Sequence, residues 1–263
     1  VRHLGEHLVE KVEFITKLQL EHLLKTEFID CVHPWGWDLS LKGELERIGL
    51  PEIMLPTDEV LDKVRAISSR QWAAEHLQQD VVLADNFALV KECVMKWGKA
   101  VVKAPWSSSG RGVKYVSADE FRTNGEYPAS QRWVSNIIFR QGGVTVEPYY
   151  NKVKDFGMEF FSRAEGVYYA GLSVFRTDHG FYTGNVLASE TAKKEMLSKY
   201  ISLDLLHEIK EKMCALLSPV LRNVYYGPLG VDMMIVADGE SGHELLLHPC
   251  VELNLRRTMG HVA

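Results

Sequence analysis

KAPWSSSGRGV, residues 103–113, sets a lysine, three serines, two glycines and an arginine into eleven positions. It lies between AVVKAPW (100–106) and VKYV (113–116), both of which read as β-strand. The stretch is a polar, cationic loop in the middle of an apolar hairpin. Four readings compete for it. A P-loop needs GxxxxGK[ST] running into a helix, whereas here Lys103 precedes the glycines. A dinucleotide fingerprint needs GxGxxG, and Gly110-Arg111-Gly112 is followed by Val113 and Lys114. A protein kinase offers a strand lysine like that of AVVK and the triplet Asp155-Phe156-Gly157, but it places its glycine loop before the lysine and carries an HRD segment, absent here. The fourth reading is a solvated turn, in which Ser and Gly are common.

The surroundings narrow the choice. The chain has 263 residues, enough for one large domain or two modest ones. Its apolar fraction is 46% and its charged fraction 25%, ordinary for a globular protein. A net charge of −5 gives no bulk basic face for nucleic acid. No apolar run approaches the roughly 20 residues that span a bilayer. Cys31, Cys93, Cys214 and Cys250 are scattered without a CxxC pair, which points to reduced thiols and a cytoplasmic setting. The chain opens on Val1 and stops at RRTMGHVA soon after a strand, the pattern expected of a fragment.

Helical periodicity runs through 6–30, and a short helix is expected at 39–48, ending at Gly49. Thr57 is a good N-cap for a helix running through DEVLDKVRAISSRQWAAEHLQQ, with Asp58 and Glu59 complementing the dipole. Further helices are expected at 86–97, near 128–140 and at about 203–217. From 143 the texture changes to strands: GVTVEPYY, FGMEFFSR, GVYYAGLSVF, GPLGVDMMIVA and ELLLHPCVELNLR. The segment 175–185 reads as a loop on the substrate side. These elements predict an α+β protein with two lobes.

In HPCVELNLRR, Leu247, Pro249, Val251, Leu253 and Leu255 alternate with His248, Cys250, Glu252, Asn254 and Arg256. A strand places the second set on one face, neighbours roughly 7 Å apart. Asp232 likewise interrupts the apolar strand GPLGVDMMIV, where an unpaired buried charge would be costly. Two carboxylates and an amide oxygen suit Mg²⁺, with water and phosphate oxygens completing the octahedron. Cys250 shares this register and reads as a small buried filler. His3, Glu6 and His7 spell HxxEH, a zinc-protease pattern, but no matching glutamate follows on a helix.

Taken in order, KAPWSSSGRGV, VEPYYNKVKDFGMEF, and GVDMMI followed by VELNLR resemble the ATP-grasp superfamily, whose plan carbamoyl phosphate synthetase, biotin carboxylase and D-alanine–D-alanine ligase share. The resemblance runs from about Leu55 to the end. It implies a two-lobed ATP-grasp fold: 1–56 as the tail of a pre-ATP-grasp domain, 57–146 as a linking helix and small lobe with a phosphate lid, and 147–263 as the large lobe with the metal site. It implies ATP and Mg²⁺ as cofactors. Lys103 and Arg70 match phosphate-binding basic residues. Ser107, Ser108, Ser109, Gly110, Arg111 and Gly112 match the lid, where small residues let backbone N–H groups approach phosphate. Glu147, Tyr149 and Tyr150 resemble the adenine hinge, and Asp155 the ribose contact. Asp232, Glu252 and Asn254 match the metal ligands, and Arg256 the arginine that steadies the transferred phosphate, while Arg257 and His261 are expected to face substrate. The implied activity is a ligase, ADP-forming, that activates an unidentified carboxylate of a small molecule or peptide for an amine or other nucleophile. A kinase on the same site and a non-catalytic nucleotide-binding module are the alternatives.

Overall fold

Thr16, Asp38, Thr57, Ser69, Asn86, Ser189 and Ser202 each precede a helix, and the side-chain oxygen of each accepts a backbone N–H of the first turn. This is how a short polar residue in extended conformation satisfies an otherwise orphaned donor. The computed structural model describes residues 13–27, 29–107, 112–121, 129–178, 181–237 and 244–262. The HxxEH pattern at 3–7 lies outside the described residues, as do Ser108, Ser109, Gly110 and Arg111.

The chain divides into two compact units, Val1–Leu61 and Asp62–Ala263. In the first, helices α1 (Lys17–Thr26) and α2 (Leu39–Arg47) gather Leu20, Leu24 and Leu41 around the buried Leu45, Ile48 and Leu50. Of the periodic stretch 6–30, residues 13–16, 27 and 29–30 lie outside the helix, while 6–12 and 28 lie outside the described residues. Helix α3 (Asp58–Ile67) follows the Thr57 cap and ends where the sequence pattern continued. The reason is the serine pair. Ser68 Oγ donates back to Val64 O at 2.7 Å, and Ser69 adopts an extended conformation and caps a new helix, α4 (Arg70–Leu77).

The second unit holds two antiparallel sheets. The smaller has the order β1-β4-β2-β3, from β1 (Val82–Ala84), β2 (Lys99–Lys103), β3 (Val113–Ser117) and β4 (Val144–Pro148). Helices α5 (Phe87–Trp97) and α6 (Ala129–Gln141) cover one of its faces. Ala100 and Val102 of β2, Val116 of β3, and Val144 and Val146 of β4 meet Val90, Val94 and Val134 there, all essentially inaccessible. Period-two alternation then puts Val101, Lys103, Tyr115, Thr145 and Glu147 on the opposite face.

The larger sheet has the order β7-β6-β5-β8-β9, from β5 (Asn151–Arg163), β6 (Gly166–Asp178), β7 (Phe181–Asn185), β8 (Gly227–Ala237) and β9 (Leu245–Asn254). Segment 175–185 is therefore the end of β6 and strand β7 rather than a loop, with 179–180 outside the described residues. Phe156, Met158 and Phe160 of β5, with Leu172 and Val174 of β6, are buried on the face toward α8 (Leu203–Leu221), which packs on β5 and β6. Helix α7 (Glu190–Leu197) packs on β6 beside it. The other face carries Asp155, Gly157 and Glu159. The Asp155-Phe156-Gly157 triplet is thus ordinary strand, with Phe156 fully buried in the core. Among the described residues no helix is long and apolar enough to cross a membrane.

Phe160→Ala should lower the unfolding free energy by about 3–5 kcal/mol, through lost burial and a cavity. Gly43→Ala, inside α2 with nothing within 4 Å of the added methyl group, should raise it by about 0.5–1 kcal/mol. Urea titration followed by circular dichroism checks both. A destabilised Gly43→Ala protein would contradict the helix placement.

Candidate functional site

The uncovered face of the small sheet and the polar face of the large one line a cavity of about 260 Å³. Lys103, Glu147 and Tyr149 contribute from one side, and Asp155, Asp232 and Glu252 from the other. Lys103 pairs with Thr145 in the β2–β4 ladder, and Val101 pairs with Glu147, so the two ionic side chains are diagonal neighbours on one face. Lys103 Nζ lies 2.5 Å from Glu147 Oε1, with both side chains at least nine-tenths buried. Neither charge would be tolerated there alone.

Arg70 opens helix α4, and its own N–H donates to Pro105 O at 3.0 Å. Its buried guanidinium donates from Nη1 to Ala104 O (2.9 Å) and Ser107 Oγ (2.6 Å), and from Nη2 to Glu252 Oε1 (2.9 Å). One side chain therefore joins the strand end after Lys103, the first residue of the predicted lid, and a predicted metal ligand 182 positions away. The far end of the same loop is close by. Gly112 O accepts from Ala104 N at 2.8 Å, and a Cβ on Gly112 would stand 2.3 Å from Ser107 Oγ. Trp106 anchors the approach, its Nε1 donating to Arg65 O at 3.0 Å while the Arg65 guanidinium stacks 4.4 Å above the ring.

Asp232 and Glu252 are directly opposed across β8 and β9, and Asn254 Nδ2 donates to Asp232 Oδ2 at 3.1 Å. Gly157 faces Asp232 from β5, where an added Cβ would meet Asp232 Oδ1 at 3.5 Å. Burial, then the charges of Glu252 and Glu159, push the Asp232 pKa up to about 7. A bound cation would relieve this crowding of like charge. Among the described residues no group of three or more His, Cys, Asp or Glu side chains is arranged to hold a metal ion. The donor set here is two carboxylates plus the Asn254 amide oxygen. That set fits Mg²⁺, which keeps several positions for water or phosphate oxygen.

Just after β4, Tyr149 N donates to Lys99 O at 3.1 Å, and Lys99 Nζ sits 3.6 Å from the Tyr149 ring centre. Tyr150 packs edge-on against the buried His248. Burial, helped by Glu147 and Asp80, pushes its hydroxyl pKa up to about 12. Asp155 is held by Lys152 Nζ (2.7 Å) and Thr177 Oγ1 (2.5 Å). Arg256 is half-buried, its Nη1 donating to Arg257 O at 3.0 Å. Cys250 is fully buried, and burial drives its thiol pKa well up, as a packing role requires.

Sequence reasoning did not single out Glu159, Lys152 or Thr177. Glu159 is buried and its Oε2 lies 3.0 Å from His261 Nδ1. A signal was present: in FGMEFF the aromatic and methionine positions alternate, which puts Glu159 on the face of Gly157 and Asp232. His261 docks on the sheet, its Nε2 donating to Phe160 O at 3.2 Å.

No protein-family model matches the chain, and no curated protein matches its sequence. Solved structures do match in fold. The biotin carboxylase domain of the Hydrogenobacter thermophilus 2-oxoglutarate carboxylase, in complex with MgADP, ADP and bicarbonate, is similar at a TM-score of 0.54 and 15% identity, covering 93% of this chain and 52% of that one. An N5-carboxyaminoimidazole ribonucleotide synthetase in complex with ADP is similar at 0.50 and 14%, covering 92% and 57%. The chain thus spans a little over half the length of these proteins. It has the ATP-grasp fold, of α+β class.

Glu147→Gln should leave Lys103 buried and unpaired and lower stability by about 3–5 kcal/mol, whereas Lys103→Met combined with Glu147→Leu should recover most of it. Urea denaturation of both variants is the check, and equal losses would mean the pair is solvated. For His261, burial disfavours the charged ring, but the hydrogen bond and charge of Glu159 outweigh it and raise its pKa. The resulting stability is fully present below the unfolded pKa of about 6.5 and is lost as pH rises through the higher folded value. His261→Gln should therefore be more destabilising near pH 6 than above pH 8, and a gap independent of pH would contradict the pairing.

Proposed function

We propose that this chain is a Mg²⁺- and ATP-dependent, ADP-forming ligase that activates a carboxylate as an acyl phosphate for attack by an amine or other nucleophile. The observation that carries this reading is the convergence of Lys103, Arg70, Asp232 and Glu252 on one cavity between two sheets, with Asn254 bonded to Asp232 beside it. In this reading 57–146 supplies the small lobe and 147–263 the large lobe, with 1–56 the tail of a pre-ATP-grasp domain.

The adenine would lie against the hinge at Glu147, Tyr149 and Tyr150, with the ribose at Asp155. Lys103 turns from Glu147 toward the phosphates. Its charge then meets a mobile anion in a water-poor site, where such contacts are strong. Asp232, Glu252 and Asn254 would hold Mg²⁺, whose chemistry is to neutralise charge on the outer phosphates. Arg70, no longer needed by Glu252, faces the same phosphates. Ser107 and Gly112, with the loop residues between them, cover them and keep water from the acyl phosphate.

A substrate carboxylate oxygen attacks the γ-phosphorus, the bond to the β-bridging oxygen breaks, and ADP leaves with that electron pair. Arg256 balances the charge that spreads over the transferring group. The nucleophile then adds to the acyl carbon, loses its proton, and inorganic phosphate departs.

Incubation with ATP, Mg²⁺, hydroxylamine and a panel of carboxylic acids should yield ADP and a hydroxamate. Glu252→Gln should slow turnover by about 10²–10³-fold, with a much smaller effect on ADP affinity, because charge on the transferring group peaks in the transition state. AMP with pyrophosphate would sink the mechanism. ADP with a phosphorylated alcohol would replace it with a kinase.

A further inference from the structure

Arg256 and Arg257 are adjacent and half-buried. Among the described residues neither has a carboxylate within ion-pair distance. Both arginines lie in the three-residue span between the end of β9 at Asn254 and the Thr258 cap, and where burial raises the pKa of the Tyr225 hydroxyl, both their charges act to lower it. Two partly desolvated like charges side by side are costly without a counter-ion. In a chain whose net charge is −5, there are carboxylates enough to have supplied one.

The backbone holds this pair in place rather than letting it drift into solvent. On one side the segment is fixed by Asn254, the last residue of β9. On the other, Thr258 caps a 3₁₀ turn (Met259–His261), and that turn docks on β5 through His261, Phe160 and Glu159. The dock leaves no spare room. A Cβ on Gly260 would stand 2.0 Å from Glu159 Oε1 and 2.6 Å from Ser173 Oγ. One on Gly230 would stand 2.7 Å from Glu159 Oε2 and 2.6 Å from Thr258 Cγ2. Both glycines are needed for the carboxylate to reach the turn. A span of three residues between two fixed points presents two cations with no carboxylate among the described residues to pair them.

The ligase reading uses one of them, Arg256, on the transferred phosphoryl group. We infer that Arg257 is a specificity-determining residue that binds a second anionic group of the substrate, so that the carboxylate activated here belongs to a dicarboxylate or another dianion. This inference rests on the ligase reading for the role of Arg256. The anion preference itself can be read without turnover. A guanidinium takes a carboxylate or phosphonate through paired N–H donors, a geometry that an ammonium does not reproduce.

Calorimetry with succinate, glutarate and phosphonoacetate against propionate and butyrate, with and without saturating Mg·ADP, tests it. The dianions should bind at least about tenfold more tightly than the monoanions, as one added charge-assisted contact implies. Arg257→Gln should bring that ratio close to one with monoanion affinity little changed, and Arg257→Lys should restore part of it. Equal affinities in the parent protein, a ratio unaltered in Arg257→Gln, or no binding of any acid at millimolar concentration would overturn the inference. Failure of Mg·ADP to bind would instead overturn the ligase reading, and the nucleotide-free ratio would still decide the role of Arg257.

Discussion

The Arg70 guanidinium is the tie on which the site depends. It reaches from the start of α4 to the strand end beyond Lys103, to Ser107, and across to Glu252 on the large sheet. Without a positive charge at that point, Glu252 would stand opposite Asp232 without its own ion-pair partner, while Asp232 keeps only the Asn254 hydrogen bond and the more distant Arg256 charge. Arg70 therefore acts as the resident counter-ion of Glu252, and it does so while also holding Ser107 Oγ. A divalent cation arriving at Asp232 and Glu252 competes for the same carboxylate. In the proposed reading, metal arrival would thereby be linked to Ser107 through one side chain.

The same logic recurs across the cavity. Lys103 is neutralised by Glu147, and Asp155 is held by Lys152 and Thr177. Arg70, Lys103 and Asp155 each have a protein partner of their own, so these charges are already oriented before any ligand enters. Exchange of partners costs less than desolvation from bulk water would. Glycines make the arrangement possible: Gly157 clears space beside Asp232, and Gly112 lets Ser107 lie against the loop's far end.

Much of this was legible because it is local. The Thr57 cap announces its helix, and strand alternation placed Glu252 and Asn254 on one face and marked Asp232 as the polar interruption of an apolar strand. What escaped was either short or long-range. Strand β1 has only three residues, too few for a periodic signal. The helix break at Ser68-Ser69 is decided by which serine turns back and which one caps, not by apolar spacing. Strand β7 is a polar edge strand whose composition looks like loop. The Arg70–Glu252 and Glu159–His261 contacts join residues far apart in sequence, and no periodicity encodes them. Glu159 shows how the two kinds of information combine: alternation gives its face, but only the folded turn at 258–261 gives its partner.

The central claim is that Asp232, Glu252 and Asn254 hold the metal of a nucleotide lying between the two sheets. A crystal structure with Mn²⁺ and a non-hydrolysable ATP analogue tests it most directly, because the anomalous signal of manganese locates the ion independently of the nucleotide. The expected result is a peak within about 2.0–2.4 Å of oxygens from Asp232 and Glu252, with Arg70 displaced from Glu252 toward the phosphates and Lys103 turned away from Glu147. A nucleotide bound elsewhere, or one in the cavity with manganese away from these carboxylates and the Arg70–Glu252 pair intact, would contradict it.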